Sequence, residues 1–311
     1  MSLAVRLALT LSQAALLAAV APLVNGFIKV LKARFQRRVG PPLTQGYRDL
    51  AKLLVKENLH AAPTSALFRL APAVSLTSAV LASATFPCVA FGGWAASGDV
   101  LTALYVLALG RFFTALAGLD AASAFGGLGS SRDVSIAALA EPVAVVAVLV
   151  LAAGVGGPPD GAVLAGVHGT VFTSWRLLAA IAFFLVVLAE CARVPVDNPA
   201  THLELTMVHE AMLLEYSGRE FAASTLAAQV KQTVLLALLA AVFLPDGLGA
   251  SGDPGALALS AAAFAAKLFG LAALVAVVES SVAKLRLFRV PDFLGAAAGL
   301  AILAYVAREA L

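Results

Sequence analysis

Eight long apolar stretches run through the chain, at residues 3–30, 67–91, 100–119, 134–154, 172–190, 226–244, 256–279 and 293–307. A helix needs about 20 apolar residues to cross a bilayer. Inside hydrocarbon every backbone N–H and C=O must be satisfied within the spanning structure itself, which leaves helices or closed barrels. Runs this long and this continuous satisfy the backbone as helices. The expected fold class is an all-α polytopic membrane protein with eight transmembrane helices and amphipathic helices beside them. Only 13% of residues are charged and the mean hydropathy is +0.95, against about 25% charged in soluble domains. Ala and Leu dominate the runs, and small residues let helices approach closely, so one compact membrane domain spanning 1–311 is expected.

The connecting loops alternate in charge. The first long loop carries Lys32, Arg34, Arg37, Arg38, Arg48, Lys52 and Lys56. Arg132 follows the third run, Arg193 and Arg219 the fifth, and Lys284, Arg286 and Arg289 the seventh. The loops at 92–99, 155–170 and 245–255 hold no Lys or Arg. The positive-inside rule then places the basic loops in the cytoplasm of a cell with an inner (plasma) membrane, and both termini on the opposite side. The loops at 31–66, 120–133, 191–225 and 280–291 would form the cytoplasmic face. A net charge of +3, gathered at loops, sets orientation and does not indicate nucleic-acid binding. The first run continues too long for a cleaved signal peptide. Cys88 and Cys191 form no CxxC pair, so the chain offers no four-thiolate iron–sulfur or nickel–iron site and implies no disulfide.

Polar residues then stand out against the grease. The densest group lies at 190–218, ECARVPVDNPATHLELTMVHEAMLLEYSG, with Glu190, Asp197, Glu204, Glu210, Glu215, Arg193, His202 and His209. Glu190 ends an apolar run, where a carboxylate costs roughly 2.5–3.5 kcal/mol on insertion scales unless it faces protein, water or a base. Pro195 and Pro199 forbid a simple helix between them. A helix is expected from Thr201 until Ser217-Gly218, with Gly218 as its C-terminal cap. These groups either solvate a loop or line a protonatable path into the membrane. His202 and His209 lie seven apart on one helical face but have no evident third ligand, so no metal site is expected.

Further charges sit in or near the spans. Arg111, Asp120 and Glu141 flank a loop in which Gly126, Gly127 and Gly129 predict a flexible or tightly bent backbone. Ser130, Ser131 and Asp133 are expected to cap the next helix. Lys231, mid-span Lys267, Glu279 and Asp292 complete the set, with Glu279 expected to snorkel to the interface. Intramembrane charges pair to hold a bundle together or mark an ion path. In the first loop, Gly40-Pro41-Pro42 makes a rigid turn. Leu43, Tyr47, Leu50 and Leu54 then share one helical face, with Arg48, Asp49, Lys52 and Lys56 mainly elsewhere. This predicts an amphipathic surface helix, either a lipid-headgroup anchor or a docking surface for a soluble partner.

Two motifs carry a resemblance that covers essentially the whole chain. RRVGPPLTQGYRDLAKLL at 37–54, and AECARVPVDNPATHLEL at 189–205 with EYSG at 215–218, each lie between expected spans. The chain resembles the respiratory complex I subunit 1 family. GLGSSRD at 127–133 and RFFTALAGLD at 111–120 resemble its branch in formate hydrogenlyase-type, group 4 nickel–iron hydrogenases. The resemblance implies a helical bundle whose cytoplasmic face docks a hydrophilic arm. The nickel–iron and iron–sulfur centres would lie in partner chains, namely the hydrogenase large and small subunits and an iron–sulfur subunit. Antiporter-like membrane subunits would sit alongside. By position, Glu190, Arg193, Asp197, Glu204 and Glu215 match charged positions of the second motif, and Arg37, Gly40, Pro41 and Asp49 those of the first.

The chain also departs from the quinone-reducing pattern. A row of three carboxylates after Pro199 reads Ala200, His202, Glu204 here, and the segment to EYSG is about three residues longer. That argues against a bound quinone. The resulting expectation is a non-catalytic membrane subunit that couples a hydrogenase arm to proton or sodium movement, with protons passing from Glu204, Glu210 and Glu215 toward Glu190, Glu141 and Asp120. A quinone-binding subunit of a complex I-like NADH dehydrogenase is the second reading. A stand-alone secondary transporter is the third, and no internal repeat supports it.

Overall fold

The first apolar run forms α1, Leu3–Phe35, which stops where Arg37 turns the backbone into the left-handed region at φ 55°. The structure is a computed structural model that describes residues 3–59, 61, 64–86, 88, 90–91, 99–160, 164, 173–198, 207–244, 249–250 and 254–310. The Gly40-Pro41-Pro42 turn leads into α2, Gln45–Val55, an amphipathic helix with no buried residue, as its face pattern predicts. It is held to α1 by the Tyr47 hydroxyl, which donates to Ala19 O.

The remaining helices are α3 (Ala66–Ser83), α4 (Val100–Asp120), α5 (Ala124–Val155), α6 (Ser174–Glu190), α7 (His209–Leu213), α8 (Gly218–Leu238), α9 (Pro254–Ser281) and α10 (Val290–Glu309). One π turn, Leu239–Phe243, extends α8, and a 3-10 turn, Leu287–Arg289, precedes α10. Residues Ala90–Phe91 and Gly249–Ala250 pair as two-residue parallel strands. Among the described residues, seven helices are long and apolar enough to cross a membrane. The chain is a multi-pass membrane protein.

The expected span that is not among these seven is the fifth, 172–190, which forms α6. It has 17 residues, starting after its N-cap Thr173, about 25 Å at 1.5 Å per residue, and of the expected span only residue 172 lies outside the described ones. Most of its side chains are buried, including Phe183, Val187 and Leu188. It packs against α5 and α10. A helix enclosed by its neighbours meets protein rather than lipid along most of its length. α8 is the most deeply enclosed span and packs on α3, α1 and α2. Its π turn stacks Phe243 on Phe183 of α6, with centroids 4.7 Å apart.

Three local expectations are corrected. No bend or new cap occurs at Gly126–Asp133; α5 starts earlier, capped by Ser123, and runs straight through the glycines. Those glycines serve helix packing. A Cβ on Gly126 would collide with Gly118 O of α4, and one on Gly129 would meet Val208 O at 2.8 Å. Residues 124–133 and 218–225, expected as loop, are therefore helical. Gly218 opens α8 rather than closing a helix before it. Its φ is +51°, and an added Cβ would lie 2.6 Å from Glu57 O. The requirement for glycine is met, but by the close passage of the first loop.

Candidate functional site

Glu190 is the last residue of α6, and the chain reverses immediately after it. Ala192 adopts φ 47°, and Arg193 N donates to Leu188 O at 2.8 Å to close the helix end. Pro195 follows a cis peptide bond. The strap beyond it crosses the end of the bundle that bears the basic loops. Leu285 N donates to Pro195 O at 2.8 Å, and Lys284 pairs with Asp197 at 2.6 Å. Asp197 is only 2% exposed. Its carboxylate accepts from Asn198 N at 2.8 Å and Val208 N at 3.0 Å. It thus fastens both ends of residues 199–206, which include His202 and Glu204 and lie outside the described residues.

Beneath the strap sits an inner charge cluster. Arg111 of α4 meets Glu190 of α6, and meets Glu141 and Asp133 of α5 at 3.2 and 3.7 Å. Lys231 of α8 pairs with Glu190 at 3.0 Å. Four helices each supply a member, so the cluster exists only once the bundle has packed. Fully ionised, it holds two cations and three carboxylates, an excess of one negative charge. Four members are buried or nearly so, whereas the Glu141 side chain is 43% exposed at the edge of the bundle.

An outer cluster lies above it. Glu279 of α9, with a side chain 1% exposed, accepts from Lys32 at 3.1 Å and from Arg193 at 3.2 Å. Arg193 also reaches Asn25 Oδ1 at 3.1 Å and Gln232 Oε1 at 2.5 Å. The expectation that Glu279 snorkels is wrong: a buried arginine stands where the interface would be, and pairing holds the carboxylate inside.

The two clusters line adjoining spaces. An open vestibule of about 860 Å³ is walled by α1, α2, the strap and α8, and includes Arg38, Gly40, Pro41, Asp49, Lys52, Arg193, Asp197, Glu210 and Glu279. An inner cavity of about 60 Å³ is lined by Arg111, Asp133, Glu190 and Lys231. The two share Cys191, Ala192, His209, Leu213 and Ala228 as common walls. A third space of about 30 Å³ shares Leu107 and Glu190 with the inner cavity and reaches Glu141. A buried water needs roughly 10–15 Å³ and two to four polar partners. The inner cavity therefore has room for a few waters. It also has polar atoms that need them: among the described residues, Glu190 Oε1 and His209 Nε2 are buried without a hydrogen-bond partner, as are Gln229 Oε1 and Gln232 Nε2 on the vestibule wall.

Other expected site residues lie elsewhere. Asp120 accepts from Ser65 N at 2.8 Å and fixes the start of α3, apart from the inner cluster. Lys267 donates to Leu244 O at the opposite end of α8. Arg132 donates to Met207 O at 3.0 Å and holds the chain entering α7. Arg37 is exposed at the end of α1, and Glu215 is half-buried beside Tyr216. The EYSG motif is a clasp. Tyr216 stacks on Phe68 with centroids 4.0 Å apart and donates to Phe68 O at 2.7 Å, while Ser217 bonds both N and O of Leu59. Sequence reasoning left Lys231 and Glu279 out of the site and read Asp133 only as a cap. It passed over Asn25 and Gln232 altogether; a side-chain amide inside an apolar run was the available signal. Among the described residues no group of three or more His, Cys, Asp or Glu could hold a metal ion.

Comparison with known proteins places this arrangement. A profile of the NADH dehydrogenase family matches residues 7–307. Formate hydrogenlyase subunit 4 of Escherichia coli (strain K12) is 34% identical over 304 residues, covering 95% of this chain and 96% of that protein. Hydrogenase-4 component C of the same organism is 31% identical over 302 residues, covering 95% and 94%. NADH-ubiquinone oxidoreductase chain 1 of Candida albicans is 31% identical over 226 residues, covering 69% of this chain and 69% of that protein. Among solved structures, a chain of the membrane-bound sulfane sulfur reductase, an archaeal respiratory membrane complex, superposes with a TM-score of 0.80 at 18% identity over 99% of this chain and 100% of its own, a likeness of fold. Whole-length identity to the two hydrogenase-linked subunits and the family match over nearly every residue together make this chain a member of the NADH dehydrogenase subunit 1 family.

Proposed function

We propose that this chain is the membrane subunit of an ion-translocating oxidoreductase complex. It anchors a nickel–iron hydrogenase arm on the basic end of the bundle and couples that arm's electron transfer to ion movement. The observation that carries the reading is the run of three spaces with common walls. It leads from a vestibule edged by basic loops, past Glu190, to Glu141 at the bundle's edge. A carboxylate and a lysine this deep in apolar helices are costly, and a path for charge accounts for keeping them.

The mechanism is electrostatic. A one-electron change about 10 Å from the strap, acting through an effective dielectric near 20, is worth about 1.7 kcal/mol, or about one pKa unit. That suffices to move a proton between carboxylates held in near-balance by Arg111 and Lys231. Glu210 and the Asp197–Lys284 pair stand at the vestibule, where such a change is felt first. The arm would comprise the hydrogenase large and small subunits and an iron–sulfur subunit holding the metal centres, because this chain's two separated cysteines cannot. Antiporter-like subunits would cover the exposed flank of Glu141. The basic end faces the cytoplasm in this reading.

Quinone chemistry fits the walls poorly. Ligand pockets of about 300–1,000 Å³ are mostly apolar. Here the inner cavity is far smaller, and the vestibule is ringed by Lys32, Lys52, Lys56, Arg38 and Arg193. The test is Glu190→Gln and Glu141→Gln in the assembled complex. Hydrogenase activity should persist while the coupled ion gradient collapses. A full gradient in both variants rejects the proposal.

A further inference from the structure

Five residues wall both the vestibule and the inner cavity, and the one imidazole among them, His209, stands at this neck. His209 opens α7 and lines both spaces. Among the described residues its Nε2 is buried without a partner, and so is Glu190 Oε1 on the same inner cavity. Buried polar atoms are almost always satisfied by protein or water. A cavity of about 60 Å³ holding two such atoms is a place for ordered water between them.

The neck is held rigidly. Arg132 grips Met207 O, Asp197 accepts from Val208 N, and Gly129 lets α5 pass against Val208 O. These contacts fix the backbone on both residues before His209. Charge is graded across the neck. On the inner side stand Arg111 of α4, Asp133 of α5, Glu190 of α6 and Lys231 of α8, in a cluster with a single negative charge in excess. On the vestibule side Glu279 faces two cations, Lys32 and Arg193, and Asp197 is balanced by Lys284. The vestibule lining also carries Lys29, Arg38, Lys52 and Lys56 against Asp49 and Glu210, with the Cys191 thiol shared by both spaces. A proton crossing inward therefore moves from a cationic wall toward an anionic one.

We infer that His209 is the proton-relay residue at this neck, and that the coupled ion is accordingly a proton. The imidazole takes one proton from a hydronium ion in the vestibule, which is left as water. The imidazolium gives one proton to the inner-cavity water and so to the Glu190 carboxylate. The ring returns to neutral, and only N–H and O–H bonds are exchanged. An imidazole can carry H⁺ in this way and cannot carry Na⁺. This inference rests on the coupling role proposed above and names its ion and its gate.

The experiment uses the whole complex in sealed vesicles, with hydrogen turnover, internal acidification and sodium uptake followed together. His209→Gln keeps bulk and polarity without titration, and His209→Ala opens space for added imidazole. Co-purification of the hydrogenase subunits checks assembly. The expected result is near-normal hydrogen turnover with proton movement down at least ~10-fold in both variants, on the scale of a lost general acid–base group. Imidazole should restore proton movement in His209→Ala and leave Glu190→Gln uncoupled. Acidification at the normal rate in His209→Gln, loss without imidazole rescue, or a sodium gradient that His209→Gln leaves intact would each overturn the inference. If Glu190→Gln is uncoupled while His209→Gln pumps, only the relay fails. If both pump fully, the coupling role fails with it.

Discussion

Arg111 touches three carboxylates from two other helices, so its removal tests whether the inner cluster acts as one unit. Its side chain is 8% exposed, and those of Glu190 and Asp133 are 10% and 16%. Arg111→Leu keeps apolar bulk and deletes the charge. Lys231 then faces three carboxylates alone, leaving two negative charges in excess. Breaking a buried pair by removing one partner costs about 3–5 kcal/mol. Glu190→Gln leaves Arg111 with two carboxylates and deprives Lys231 of its own, so the loss is limited to roughly 1.5–3 kcal/mol, the worth of a hydrogen bond to a charged group. In the double variant the uncompensated charges partly cancel. Its cost should fall short of the sum by about 1–3 kcal/mol. Equilibrium unfolding of the purified chain in mixed micelles, read by circular dichroism, gives the four free energies. Additivity within about 0.5 kcal/mol would falsify the shared cluster, and a cost below about 1 kcal/mol for Arg111→Leu would show that water already solvates it.

Other contacts yield further outcomes. Glu279→Ala strands Arg193 and Lys32 and should cost about 3–5 kcal/mol in the same unfolding assay; an unchanged midpoint would contradict burial of the pair. Gly218→Ala forces a left-handed L-residue, worth roughly 1–2 kcal/mol, and pushes against Glu57 O, so residues 57–59 should become sensitive to limited proteolysis. Tyr216→Phe leaves Phe68 O without its donor and should cost about 1 kcal/mol, against about 3–5 kcal/mol for Tyr216→Ala. Burial, reinforced by Glu220 and Asp120, pushes the Tyr216 phenol above its usual range. Its contribution to stability should thus be complete below about pH 10 and fade as pH rises through the raised value; ultraviolet titration that finds every tyrosine ionising together near pH 10 would refute this.

The spans were legible because apolar length is a one-dimensional property, and so was the face of α2. The start of α5 was not, because its glycines suggest a bend when in fact they let α4 and the strap pass close by. That reason lies on other helices. Glu190 and Arg193 stood out by cost alone, but their partners did not. Arg111, Lys231 and Glu279 find carboxylates or bases between 22 residues (Arg111 to Asp133) and 247 residues (Glu279 to Lys32) away, and no local pattern encodes such a meeting. Asp120 and Lys267 show the converse: equally improbable in sequence, they are satisfied by backbone groups nearby and stay out of the cluster. The role of Gly218 was half visible, since the need for glycine could be read but not which neighbour imposed it.

The clasp at Tyr216 and Ser217 makes one mechanical body of segments that lie far apart in the chain. Arg219 adds to it by donating to Asn58 Oδ1 and Leu54 O. A force applied to the surface helix is therefore delivered straight to the first turn of α8, and α8 is the rod on which Lys231 is mounted. The clasp and the Lys231–Glu190 pair thus stand on one continuous helix, roughly three turns apart.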